Sequence, residues 1–126
     1  MKAIAAICVG ASTGALLRWV LNLRMNALVP LLPMGTLTAN LVGGYIVGVA
    51  VAYFASSPHL STEWRLLVIT GFCGGLTTFS TFSAETVELM QQGELARMAL
   101  LIGLHLFGSL AMTVAGMATW QWLGAR

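Results

Sequence analysis

The sequence predicts an all-α integral membrane protein with four transmembrane helices. Hydrophobic residues fill 58% of its 126 positions, only 8% are charged, and the charges lie at the edges of four long apolar windows. A soluble domain carries about a quarter charged residues, so an ordinary soluble enzyme is excluded. The windows fall at 3–23, 35–55, 65–90 and 98–123, each near the about 20 residues that cross a hydrocarbon core. The chain reads as one four-helix membrane domain over 1–126.

The first window follows Lys2 and runs through Arg18-Trp19 without a small-x-small cleavage site, so it is expected to remain as a helix. Arg18 beside Trp19 suits a side chain reaching the interface next to an aromatic belt residue. Pro30 and Pro33 separate the first two windows. Asn40 is the strongly polar side chain of the second, and in a membrane it needs a bonded partner or an ion. Ser56-Ser57-Pro58-His59 and Gln91-Gln92-Gly93-Glu94 form the other two short links.

The third window departs from simple helix chemistry. Gly71, Gly74 and Gly75 precede a hydroxyl-rich run containing Thr77, Thr78, Ser80, Thr81 and Ser83, and a break is expected near 74–78. Non-helical backbone in the hydrocarbon region survives only in protein or beside a polar cavity. Carbonyls ending one half-helix favour a cation, and N–H groups opening the next favour an anion. Thr77, Thr81, Glu85 and Glu88 then share one helical face, and Phe79 and Phe82 lie three apart. Aromatic rings have positive edges, so such a pair suits a desolvated anion or simple packing. Glu85 is the deepest of the carboxyls in this helix. In the fourth window His105, Ser109 and Thr113 repeat a polar stripe, with back-bonding to the helix's own carbonyls as the alternative reading.

Charge patterning bears on orientation. Lys2, Arg65 and Arg126 fall on one side of a four-span topology, and Arg18, Arg24 and Arg97 on the other. That tie removes the positive-inside bias and permits insertion both ways, with two opposed copies pairing about an in-plane two-fold axis. The pairs Gly10/Gly14, Gly44/Gly48 and Gly71/Gly75 supply the small-xxx-small spacing for close backbone approach. The net charge of +2 comes from scattered residues, which leaves no footprint for nucleic acid. Cys8 and Cys73 lie in apolar stretches and read as packing residues, with no disulfide or zinc site expected.

Gly14-Ala15-Leu16-Leu17-Arg18-Trp19, then the stretch from Gly35 to Gly44, then Gly71 to Ser83 together resemble the Fluc (CrcB-type) fluoride channels of bacteria. The resemblance covers the whole chain. It implies a non-enzymatic, fluoride-selective channel for passive efflux, multi-pass in the bacterial inner membrane and built as a dual-topology antiparallel homodimer with two pores. It further implies a sodium ion at the dimer centre held by main-chain carbonyls, at the matching positions Gly74 and Thr77. Phe79 and Phe82 match the pore phenylalanines, Asn40 the pore asparagine, and Ser80, Thr81, Ser109 and Thr113 the hydroxyl track. Arg18 matches a vestibule position, and Glu85 lies near the far end of the track. The partners implied are fluoride, lipid and a second copy. The alternative is a small multidrug or guanidinium-type proton-coupled exporter, which needs a membrane-core carboxylate; the first helix offers none between 3 and 17.

Overall fold

The computed structural model describes residues 1–126. Four apolar rods alternate in direction: α1 (Lys2–Met25), α2 (Met34–Ser56), a third span over Thr62–Gln91, and α6 (Leu95–Gly124). The third span contains α3 (Thr62–Arg65), a π-helical segment (Leu66–Cys73), α4 (Gly74–Leu76) and α5 (Phe79–Gln91). Each rod is long and apolar enough to cross a membrane. Large apolar side chains such as Ile4, Leu16, Phe107 and Val114 point outward, as a lipid solvent requires.

Backbone, more than side chains, forms the core. Lipid offers no hydrophobic drive between helices, so contact comes from close packing. A Cβ placed on Gly10 would lie 2.8 Å from the Phe72 nitrogen and 2.9 Å from the Gly71 Cα. One on Gly48 would lie 2.9 Å from the Thr113 carbonyl carbon, and one on Gly116 2.9 Å from the Val49 nitrogen. Thus α1 rides on the third span and α2 on α6. The glycine pairs that the sequence offered for association between copies are engaged within one chain, where hydrogen-sized side chains let the helix backbones touch. Within the range 74–78, the extended residues are Thr77 and Thr78, and Gly74 and Gly75 precede them. Both glycines sit in helical backbone, and a Cβ placed on Gly75 would lie 3.0 Å from the Ala11 carbonyl carbon.

The links carry their own chemistry. Asn26 Oδ1 accepts from the Gly35 N–H at 2.7 Å, capping α2 from outside because its N-cap, Pro33, makes no side-chain cap. Gly93 has φ +75°, and the Gly93 and Glu94 N–H groups bond the Met90 and Leu89 carbonyls at 3.1 and 2.9 Å. That is a Schellman closure of α5, for which glycine suits the left-handed position. At the other surface, the Trp120 indole N–H donates to Ser56 Oγ at 3.0 Å.

Arg97 fastens the first link to α6, its Nε donating to the Leu31 carbonyl at 2.9 Å and its Nη2 to the Pro30 carbonyl at 3.2 Å. Charge-assisted bonds at a partly exposed site contribute about 1 kcal/mol after screening. Arg97→Ala is therefore expected to lower the thermal unfolding midpoint by a few degrees, and to speed amide exchange at 31–35 more than elsewhere. Uniform exchange across the chain would contradict this role.

Candidate functional site

The site grows from two extended residues. Thr77 (φ −80°, ψ 156°) and Thr78 (φ −153°, ψ 117°) separate α4 from α5. Extended backbone inside a span leaves groups that a helix would have paired. Thr77 resolves part of this locally, its N–H and its hydroxyl both donating to the Cys73 carbonyl at 2.9 and 2.8 Å. Thr78 is buried, and its Oγ1 caps α5 by accepting from the Thr81 N–H at 3.2 Å.

Asn40 resolves the rest. Its Oδ1 accepts from the Thr78 N–H at 2.7 Å, and its Nδ2 donates to the Thr78 carbonyl at 3.0 Å. The carboxamide therefore pairs with the N–H and the carbonyl of one residue, as a neighbouring strand would. Nδ2 also lies 3.0 Å from His105 Nδ1. Two partners use both Nδ2 hydrogens, so Asn40 keeps no donor for a third.

The aromatic residues lie beside this knot. The Phe79 and Phe82 rings meet edge-on, with centroids 5.6 Å apart and planes at 68°. Phe82 also stacks on the His105 imidazole at 4.4 Å and 27°. A cavity of about 490 Å³ runs along these groups, lined by Asn40, Gly74, Thr77, Phe79, Phe82, His105 and Ser109 among others. Phe79 is 79% exposed, whereas His105 is 5% exposed with its Nε2 lacking any partner.

The remaining predicted residues divide. Thr81 adjoins the cap, its Oγ1 accepting from Thr78 Oγ1 at 3.1 Å and so keeping its own proton. Ser80 Oγ is 3.2 Å from Thr78 Oγ1. Thr113 lies off the cavity, and its hydroxyl donates to the Ser109 carbonyl at 3.0 Å, which is the back-bonding alternative. Arg18 on α1 makes no ion pair. Glu85 is remote from the groove, with one oxygen accepting from Thr36 Oγ1 at 2.6 Å and the other buried without a partner. It shares a cavity of about 270 Å³ with Glu88, Asn26 and Arg97 at the surface formed by the first link.

Two contributors were not assigned from the sequence. Thr36, buried in α2, holds Glu85. His105 was one member of a stripe, yet it joins Asn40 and Phe82. The i, i+4 spacing of His105 and Ser109 was the available signal. No group of three or more His, Cys, Asp or Glu side chains is placed to hold a metal.

Comparison with known proteins bears on this arrangement. The family model described as CrcB-like protein, Camphor Resistance (CrcB), matches residues 5–117. The chain is 66% identical over 122 residues to the fluoride-specific ion channel FluC of Chromobacterium violaceum, covering 97% of each chain. It is 60% identical over 126 residues to the protein of that name from Pseudomonas syringae pv. maculicola, covering 100% of this chain and 99% of the relative. Against that of Nitrosomonas europaea it is 60% identical over 121 residues, with 96% and 95% covered.

Proposed function

The chain belongs to the CrcB-like family, and from that premise we propose that it is a fluoride-selective channel carrying passive fluoride efflux across the inner membrane. The relatives that match it almost end to end are fluoride-specific ion channels. The observation that best supports the reading is the groove beside the Thr77–Thr78 backbone, where Phe edges, hydroxyls and an imidazole converge without fixed charge. A proton-coupled exporter is not favoured, because these relatives are channels.

Fluoride enters cells as neutral hydrogen fluoride, ionises in a near-neutral cytoplasm and is trapped as the anion. A selective pathway lets the inside-negative potential expel it. Conduction needs binding strong enough to strip water and weak enough to release. Positive ring edges at Phe79 and Phe82 and the free protons of hydroxyls such as Thr81 meet that requirement. Ser109 lines the path and Asn40 organises it, Ser80 adjoins the Thr78 cap beside it, and Thr113, Arg18 and Glu85 would act from outside the groove itself.

In the same reading the working unit is an antiparallel homodimer of dual topology. The groove is open along one side, and Phe79 is largely exposed; an inverted second copy would close the groove around the ion. A resident sodium would be held by the Gly74 and Thr77 main-chain carbonyls. Their fit is local: the Thr78 and Thr81 N–H groups that a continuous helix would aim at them are turned to Asn40 Oδ1 and Thr78 Oγ1. Bound there, sodium would neutralise those carbonyls and tie two copies together.

Anion efflux tests the function. Liposomes bearing the purified protein and loaded with potassium fluoride are expected to empty rapidly after valinomycin, while potassium chloride is retained. Retention of fluoride by a correctly reconstituted sample would sink the channel reading, and equal loss of both anions would sink its selectivity.

A further inference from the structure

One proton in the groove is positioned by a chain of hydrogen bonds that begins at the backbone. An asparagine carboxamide has a donor end and an acceptor end, and their assignment follows from its partners. Here the partners are the N–H and the carbonyl of a single extended residue, Thr78. The Thr78 N–H must meet oxygen and the Thr78 carbonyl must meet nitrogen, as they do at 2.7 and 3.0 Å. Reversing the carboxamide would oppose two donors at one end and two acceptors at the other, so the extended residue leaves Asn40 a single orientation.

The second Nδ2 hydrogen then has a fixed direction. It points at His105 Nδ1, 3.0 Å away, which therefore accepts. A neutral imidazole whose Nδ1 accepts carries its proton on Nε2. Stacking on Phe82 at 4.4 Å holds the ring plane. The Nε2 atom is buried in a residue 5% exposed and has no partner in the chain. A buried N–H without an acceptor costs about 1–3 kcal/mol, and His105 lines the groove. The other tautomer would place a lone pair in that position and repel an anion.

We propose that Asn40 is a positioning residue that sets the tautomer of His105, so that the imidazole presents its Nε2–H to fluoride in the groove. The ligand in this proposal rests on the channel reading, whereas the tautomer rests on the hydrogen bonds alone. Asn40 acts on the ion through His105, its own donors being engaged. The Thr78–Asn40–His105 relay thus couples the two extended residues of the third span to the donor character of α6.

Nitrogen-15 magnetic resonance of the bilayer-reconstituted protein, labelled at histidine, reads this directly. His105 and His59 are the two histidines, and His59→Gln in the second link leaves a single ring. The expected spectrum has a bare Nδ1 and a proton coupled to Nε2. In Asn40→Asp, where an acceptor faces Nδ1, the proton is expected to appear on Nδ1. In Asn40→Ala, which removes the donor without adding charge, both tautomers are expected. A wild-type proton on Nδ1, or on both nitrogens, would overturn the proposal, as would a tautomer unchanged in both variants. Potassium fluoride is expected to move the Nε2–H proton signal downfield while potassium chloride does not; an unmoved signal would remove fluoride as its ligand. Efflux from the same sample separates the two readings. Fluoride conduction with the wrong tautomer sinks the relay alone, and an Nε2–H tautomer without conduction sinks the channel.

Discussion

Asn40→Leu is expected to destabilise the protein by about 2–6 kcal/mol and to cut fluoride flux by roughly ten- to a hundredfold. Leucine keeps the branching and heavy-atom count of asparagine but puts two bulkier methyl groups where the amide oxygen and nitrogen stood. What changes is the pairing of Thr78, whose N–H and carbonyl both lose their partner inside a span. Each buried backbone group left unpaired costs about 1–3 kcal/mol, and the two losses set the range. The flux loss follows from His105, which no longer has its proton placed; a weakened bond to an ion of about 1.4–3 kcal/mol corresponds to that fall in rate. Thermal unfolding in bilayers and the fluoride efflux assay measure the two effects. A variant that melts and conducts like the parent would show that water or lipid headgroups satisfy Thr78, and would return Asn40 to packing.

Gly10→Leu is expected to have the largest purely structural effect, about 3 kcal/mol or more. Its Cβ would meet the Phe72 nitrogen at 2.8 Å and the Gly71 Cα at 2.9 Å, with the Leu67 carbonyl oxygen closer still. All three are main-chain atoms, which cannot swing aside as a side chain does. Overpacking ordinarily costs about 1–3 kcal/mol, and here relief requires α1 to leave the third span. Gly103→Ala is the contrast, since nothing lies within 4 Å of a Cβ there; it is expected to stabilise the helix by about 0.5–1 kcal/mol. Monodisperse yield and melting midpoint separate the two. Equal behaviour of the variants would refute backbone-to-backbone packing as the core of this fold.

Phe79 and Phe82 illustrate what was legible in the candidate site. Their three-residue spacing on one helix predicts neighbouring rings, and the rings meet at 5.6 Å. The hydroxyl run around Thr78 likewise marks a segment unsuited to a continuous lipid-facing helix. Asn40 is different. Its polarity announced a partner without naming it, because Thr78 lies 38 residues away and His105 65 away. The Arg97 clamp spans 66 residues to Leu31 and left no local trace. Gly71 and Gly75 were equally ambiguous, since a small-xxx-small pair shows that a backbone can be approached and not which backbone approaches.

By itself the sequence determined the number, length and apolar character of the spans. Windows at 3–23, 35–55, 65–90 and 98–123 correspond to Lys2–Met25, Met34–Ser56, Thr62–Gln91 and Leu95–Gly124. These properties depend on hydropathy and helical rise, which adjacent residues carry. The resemblance in its motifs also led to the right family. Tertiary structure alone decided the π-helical turn at Leu66–Cys73, the engagement of three glycine pairs within one chain, and the pairing of Asn40 with Thr78 and His105. A membrane interior offers no water to satisfy a stray donor or acceptor. Each such group must find a partner on another span, and that partner is set by how the helices pack in three dimensions.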